Sequence, residues 1–207
     1  MGLFRNYVSQ TRKPEGFLGK LMLKGMNHGH ARMADWALDQ LEQEAPAEIV
    51  DLGCGGGRNV AEVLKRYPRA HVTAMDHSAL AVEQSAELNK AACAEGRCSV
   101  QLGDVSALDL SEGKYALATA FETIYFWPGL EHCFTEVRRI LQAGGRFLIV
   151  NESDGQDAVS QKFEKIIEGM NLYTPEQIVD ALQRAGFTIL KQQHHEKKPW
   201  IMVLAEK

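Results

Sequence analysis

Four acids in this chain stand where short apolar runs end. Asp51 follows Ile49-Val50, Asp76 follows Ala70 to Met75, Asp104 follows Cys98 to Gly103, and Glu122 follows Tyr115 to Phe121. An ionised carboxylate only accepts hydrogen bonds and offers two oxygens, so it suits hydroxyl and amino groups of a small ligand. After Asp51 comes Gly53-Cys54-Gly55-Gly56-Gly57. Glycines in such a turn let backbone approach a ligand that a Cβ would strike, and they permit the φ values a tight turn needs. Beyond Glu122 lies an aromatic-rich run, Phe121-Glu122-Thr123-Ile124-Tyr125-Phe126-Trp127, which could wall an apolar substrate or face a cation. Glu122 is the acid placed to act as a base or to contact a substrate cation. Upstream, Met26-Asn27-His28-Gly29-His30 sets two histidines around a glycine, and His28 or His30 could serve as a base or bind a ligand carboxylate.

The elements that must position these groups alternate. Apolar residues from Ala31 to Leu41 fall on one helical face, in a helix running to Gln43 and closed by Pro46. Short helical pieces precede it. Then strand and helix take turns: a strand into the glycine turn, a helix over 59–67, a strand to Asp76, and a helix capped by Ser78 and running to about Cys93. Strands follow at 98–102 and 115–120, then a helix from Pro128 to Leu141, ended by Ala143-Gly144-Gly145, and a strand at 146–150. Thr174-Pro175-Glu176-Gln177 opens a helix that stops at Gly186, and strands at 187–192 and 200–204 finish the chain. Such alternation predicts a mostly parallel sheet covered by helices on both faces. Only His194 to Pro199 separate the last two strands, and a parallel crossover needs about a dozen residues, so the last pair is antiparallel.

The 207 residues fit one domain, with 45% apolar and 24% charged residues and a net charge of −4. This balance gives no electrostatic footprint for nucleic acid or an anionic membrane, and no run reaches the length of a membrane span. The first 20 residues lack the apolar core of an export signal. Cys54, Cys93, Cys98 and Cys133 form no C-x-x-C pair and read as reduced thiols of a cytoplasmic protein. His28, His30, His132 and Cys133 show no metal-ligand spacing, so no metal is expected.

Together these residues resemble the class I S-adenosylmethionine-dependent methyltransferases, in their small-molecule branch (the type 11 methyltransferases). The resemblance rests on Asp51-Leu52-Gly53-Cys54-Gly55-Gly56-Gly57, on Asp76, on Gly103-Asp104-Val105, and on Glu131 to Val150 with Ala143-Gly144-Gly145. It implies an α/β fold, a Rossmann-like doubly wound seven-stranded mixed sheet with the last strand antiparallel, plus an N-terminal helical cap or lid over 1–45 and a cofactor domain over 46–207. It implies S-adenosyl-L-methionine as cofactor. Asp51, Gly53, Cys54 and Gly55 would meet its methionine part. Asp76, with His77 beside it, would take the ribose hydroxyls, Asp104 and the Val105 N–H the adenine, and Phe121 would close the site. The expected reaction is in-line methyl transfer to a small-molecule acceptor, with Glu122, His30 and Tyr125 as catalytic candidates. The run after the fourth strand has no N-P-P-Y or D-P-P-Y, which argues against methylation of nucleic-acid bases. A homodimer is compatible with the sequence.

Two alternatives stand beside this expectation. A non-catalytic S-adenosylmethionine-binding module would keep the same turn and acids, since fold does not fix function. A nicotinamide-dependent oxidoreductase also has a glycine turn with a distant acid, but its third glycine falls where this chain has Arg58, whose side chain would obstruct close helix–strand packing.

Overall fold

The computed structural model describes residues 10–41 and 46–207. Helices α1 (Gly16–Gly29) and α2 (Ala31–Leu38) precede an alternating core: β1 (Glu48–Leu52), α3 (Arg58–Arg66), β2 (His71–Asp76), α4 (Ala79–Leu88), α5 (Lys90–Ala94), β3 (Cys98–Leu102) and β4 (Tyr115–Phe121). Then come a single 3-10 turn (Ile124–Phe126), α6 (Leu130–Ile140), β5 (Leu141–Asn151), α7 (Ala158–Glu164), α8 (Pro175–Arg184), β6 (Thr188–His194) and β7 (Ile201–Glu206).

Among the described residues seven strands form one sheet in the order β3-β2-β1-β4-β5-β7-β6. The first five run parallel, and β7 is antiparallel to both β5 and β6. The expected seven-stranded mixed sheet with a reversed last strand is therefore present. Strand order turns back between β1 and β4, and it is outside the carboxyl ends of strands at such a switch point that open α/β sheets bind ligands. Gly53 follows β1 and Glu122 follows β4 at this point.

Two apolar layers sandwich the sheet. Ile49, Val72, Leu117, Leu148 and Met202 face α2 and α3, through Met33, Ala37, Val60 and Val63. Val50, Ala118, Phe147, Ile149 and Val203 face α6 and α8, through Phe134, Val137, Ile178 and Leu182. The strands read as continuous apolar runs because both faces are covered. Trp127 stacks on Phe147 with centroids 6.2 Å apart and planes at 7°, and meets Phe134 edge-on.

Several boundaries differ from the sequence expectation. Among the described residues the first element is a 14-residue helix, α1, longer than the short pieces expected, and residues 1–9 lie outside the described part. Helix α2 stops at Leu38, not Gln43, and residues 42–45 lie outside the described part. The helix capped by Ser78 breaks at Asn89, whose side-chain amide donates to the Gly57 carbonyl at 3.0 Å and to the Ser85 carbonyl at 2.9 Å. That side chain ties the helix to the glycine turn, so the break serves the site. Strand β5 begins at Leu141, with a register shift opposite Tyr115 to Leu117, so Ala143-Gly144-Gly145 belongs to a strand. Helix α7 was not expected, although Asp157 caps it by accepting from Ser160 N at 2.8 Å. The Thr174 cap is as expected: its hydroxyl accepts from Gln177 N while the Gln177 side chain accepts from Thr174 N.

Candidate active site

A cavity of about 530 Å³ opens along the carboxyl ends of β1, β2, β3 and β4. Its floor is Gly53, Gly55, Asp76, His77, Asp104 and Val105, and Phe121, Glu122, Phe126 and Trp127 stand along one side. Leu23 and Met26 from α1, with Thr11 to Pro14 before it, close over it. Ser78 holds that covering segment by donating its hydroxyl to the Pro14 carbonyl at 2.8 Å.

The glycine turn is shaped by its own neighbours. A Cβ on Gly53, which has φ +83°, would lie 2.2 Å from Thr123 Oγ1, and one on Gly57, with φ +81°, would lie 2.7 Å from the Ser85 Cα. These glycines let the turn pack against protein, whereas Gly55 faces the cavity with only Leu23 Cδ2 near, at 3.8 Å. Gly53 and Gly55 both line the cavity, while Gly57 lies off it, against Ser85 and Asn89. Arg58 is also placed differently from the expectation. Its guanidinium turns away from the sheet, grips both Asp35 carboxylate oxygens at 2.6 and 2.7 Å, and donates to the Ala31 carbonyl, which fastens α2 to the turn. Close packing falls instead to Gly57.

Asp76 is buried, and both of its oxygens are fixed by backbone. Oδ2 accepts from Gly55 N and Oδ1 from Ser78 N, each at 2.9 Å. Each oxygen keeps a second lone pair, and the side chain lines the cavity, so the carboxylate is oriented before any ligand arrives. Asp104 is exposed at the cavity rim, where the Ser106 hydroxyl and N–H bond its Oδ1 at 2.7 and 2.8 Å and hold its carboxyl below the usual range. Asp51 is a different case. It is buried within the sheet beside Thr119, whose hydroxyl donates to it at 2.5 Å, and it does not line the cavity. Burial pushes its carboxyl up to about 7, against the Thr119 bond and with help from the Asp76 charge. Cys54 is buried too, and burial raises its thiol well above the ordinary value. It lines a small recess beneath α1 and not the main cavity.

A second cluster sits past β4. Glu122 has φ +58°, the only non-glycine positive φ among the described residues, a conformation that costs a side-chain-bearing residue roughly 1–2 kcal/mol. Its N–H bonds the Val150 carbonyl at 2.9 Å, so the sheet itself imposes the turn. Its Oε1 accepts from the Tyr125 hydroxyl at 3.1 Å and from the backbone N–H of Glu152. His30, between α1 and α2, points Nε2 at Glu152 Oε2, 3.3 Å away, and at Glu122 Oε2, 4.0 Å away. Burial opposes charge on this imidazole, but the Glu152 bond and the two carboxylates prevail and raise its pKa. Burial raises the Glu122 carboxyl, while His30 and the Glu152 N–H pull the other way. Glu152 is lowered, chiefly by its bond to His30.

The structure thus brings together His30, Glu122 and Tyr125, and adds Glu152, which sequence reading missed. Its only signal was position, one residue past the end of β5, in line with the acids that close β1 and β2. Tyr125 reaches the cluster from the core and does not line the cavity; its hydroxyl also accepts from Ser153 N. Phe121, Phe126 and Trp127 do line it. His28 is exposed, away from the cluster. His194 and His195 are not a free hairpin loop: His194 ends β6 with Nε2 3.0 Å from Asp154, and His195 packs against Trp36 and Trp200.

Residues 49–145 match a methyltransferase-domain family model. The chain is 24% identical over 177 residues to the cycloartenol-C-24-methyltransferase of Arabidopsis thaliana, covering 80% of this chain and 52% of the relative. It spans about half the length of the curated relatives it matches. Its fold superimposes on the methyltransferase in a complex with the Haloferax volcanii Trm112 methyltransferase activator, with a TM-score of 0.80, 18% identity and coverage of 89% and 92% of the two chains. It also superimposes on the geranyl diphosphate C-methyltransferase of Streptomyces coelicolor A3(2), solved with Mg2+, geranyl-S-thiolodiphosphate and S-adenosyl-L-homocysteine, at TM-score 0.71 and 15% identity, over 85% of this chain and 75% of that one. The cavity at the switch point, the pre-oriented Asp76 and the backbone exposed at Gly55 fit S-adenosylmethionine. The dinucleotide alternative has no such support, and the match over residues 49–145 together with the shared fold supports a class I S-adenosylmethionine-dependent methyltransferase.

Proposed function

We propose that this protein transfers a methyl group from S-adenosylmethionine to a small-molecule acceptor. The observation that carries the reading is Asp76, buried at the end of β2, with both oxygens fixed by backbone N–H groups and its free lone pairs on a cavity of about 530 Å³. S-adenosylmethionine supplies, when bound, a methyl group on a positively charged sulfur. The chain's part is to hold and align, which can contribute several kcal/mol without acid or base. Asp76 would accept from the ribose hydroxyls, with His77 beside it. Asp104 and the Val105 N–H would take the adenine, and the backbone of Gly53 to Gly55 the methionine part. Phe121, Phe126 and Trp127 would pack the acceptor and exclude water. The segment before β1, with Leu23 and Met26 over the cavity, would act as the cap.

An acceptor that must lose a proton needs a base. Glu122 is the group for this role, because it lines the cavity and burial raises its carboxyl above the ordinary value. Tyr125 would orient it, and His30 would share its charge. An acceptor that arrives with its nucleophile already free would need only the alignment. Sterols and geranyl diphosphate are acceptors named among the relatives, and the aromatic wall is compatible with the hydrocarbon parts of such acceptors.

The same reading sets the protein in the cytoplasm, without nucleic acid, since its net charge of −4 offers no attraction to a polyanion. Among the described residues no helix is long and apolar enough to cross a membrane. A homodimer is compatible with this function. The test is release of S-adenosylhomocysteine from S-adenosylmethionine with a panel of sterol, prenyl, phenol and amine acceptors. Release above the acceptor-free rate is expected for at least one class. Tight cofactor binding with no release for any class would favour a binding module.

A further inference from the structure

We propose that His30, Glu122 and Glu152 form a binding site for a divalent first-row cation. The site goes beyond the methyl-transfer reading and does not require it. One imidazole nitrogen and two carboxylate oxygens, from three separate segments, lie within 4.8 Å of one another. Such a mixed nitrogen–oxygen set suits Mn2+, Fe2+, Co2+ or Zn2+ better than Mg2+ or Ca2+, which prefer oxygen alone.

Three features favour a cation over a closed network of hydrogen bonds. The first is charge. A protonated His30 offers one positive charge to two carboxylates, and its single Nε2 proton cannot serve both oxygens at 3.3 and 4.0 Å. Arg58, the other cation lining the recess, is spent on Asp35. The second is orientation. Glu122 Oε1 is occupied by the Tyr125 hydroxyl and the Glu152 N–H, which leaves Oε2 for His30 or for a metal. The third is support behind the ligands. The Tyr125 hydroxyl bonds Glu122, as outer partners do when they fix metal-ligand carboxylates. A cation held by these three groups would stand beside the methyl-transfer end of the cavity, because Glu122 lines both the cavity and the recess holding His30.

The test is calorimetric titration of chelator-treated full-length protein with Mn2+, with S-adenosylmethionine affinity measured in parallel so that the two readings can fail separately. Saturable binding at one site is expected, weakened by roughly a hundredfold or more in Glu152→Gln and His30→Ala, since loss of a direct ligand exceeds the effect of losing an outer partner. Unchanged cofactor affinity in Glu152→Gln shows that variant folded. If either variant fails to fold, wild-type protein loaded with Co2+ decides: a hyperfine-shifted imidazole N–H resonance is expected. Absence of binding at millimolar Mn2+, equal binding by wild type and variants, or a Co2+ spectrum without that resonance overturns the site.

Discussion

The two ends of the cavity are built in opposite ways. At the cofactor end, Asp76 is held by backbone: Gly55 N and Ser78 N fix its oxygens, and every partner lies within 21 residues of it. At the other end, Glu122 is held by a tyrosine hydroxyl, by the Glu152 backbone N–H 30 residues later and at a strained φ, and its other oxygen faces a histidine 92 residues earlier in the chain. Backbone amides cannot be substituted away and set a ligand site that tolerates little change. Side chains from distant segments can be exchanged singly, which suits the end that must fit one acceptor among many. The first end therefore identifies a family, and the second identifies a particular protein.

Substitutions at each end sharpen this contrast. The largest expected effect belongs to a buried acid behind the cofactor end. Asp51 carries a carboxyl raised to about 7 in the folded protein, from an ordinary 3.8. The folded chain therefore holds a proton that the unfolded chain has lost between about pH 4 and pH 7. The stability this confers is present below about pH 4 and is lost as pH rises through 7. Asp51→Asn removes the titration, so its stability relative to wild type should rise across that window, by roughly 4 kcal/mol at 1.36 kcal/mol per pKa unit. Parallel denaturant titrations at pH 4.5 and 7.5 measure it, and pH-independent curves would put the charge elsewhere.

Next comes Asp76→Ala. Losing two charged hydrogen bonds to the ribose, at roughly 1.5 kcal/mol or more each, should weaken S-adenosylmethionine binding on the order of a hundredfold. Calorimetry reads it, and an unchanged affinity would refute the ribose assignment and with it the contrast between the two ends. The smallest effect is that of Tyr125→Phe. It removes the hydroxyl that joins Glu122 to Ser153 N and should cost about 1–2 kcal/mol of stability. Cofactor affinity should stay within about twofold while turnover with any accepted substrate falls. Equal loss of both would mean that the two ends are one unit.

The sequence was informative where local rules suffice. The reversed last strand followed from a six-residue connection, and Ser78 and Thr174 announced their helices through capping chemistry. Asp76 and Asp104 were legible because a strand end, a turn and an acid lie together in the chain. What the sequence left open was which neighbours press on each glycine and what holds Arg58: composition says that a turn is tight, not what packs against it. Gly53 answers to Thr123 and Gly57 to Ser85, both remote in sequence. Glu152 left only a positional signal, one residue past the end of β5, and its pairing with His30 left none.

The amino-acid sequence by itself thus determined the α/β class, the direction of the last strand and the placing of Asp76 and Asp104 at strand ends along the cavity, because each depends on hydrogen bonds and φ values set within a short stretch of backbone. Only the tertiary structure decided which groups meet His30. Strand order places the ends of β4 and β5 side by side, and the Arg58–Asp35 pair and the Asn27 bond to the Gly56 carbonyl hold the first helices above them. Proximity among three segments that far apart is a property of packing, and no local energy records it.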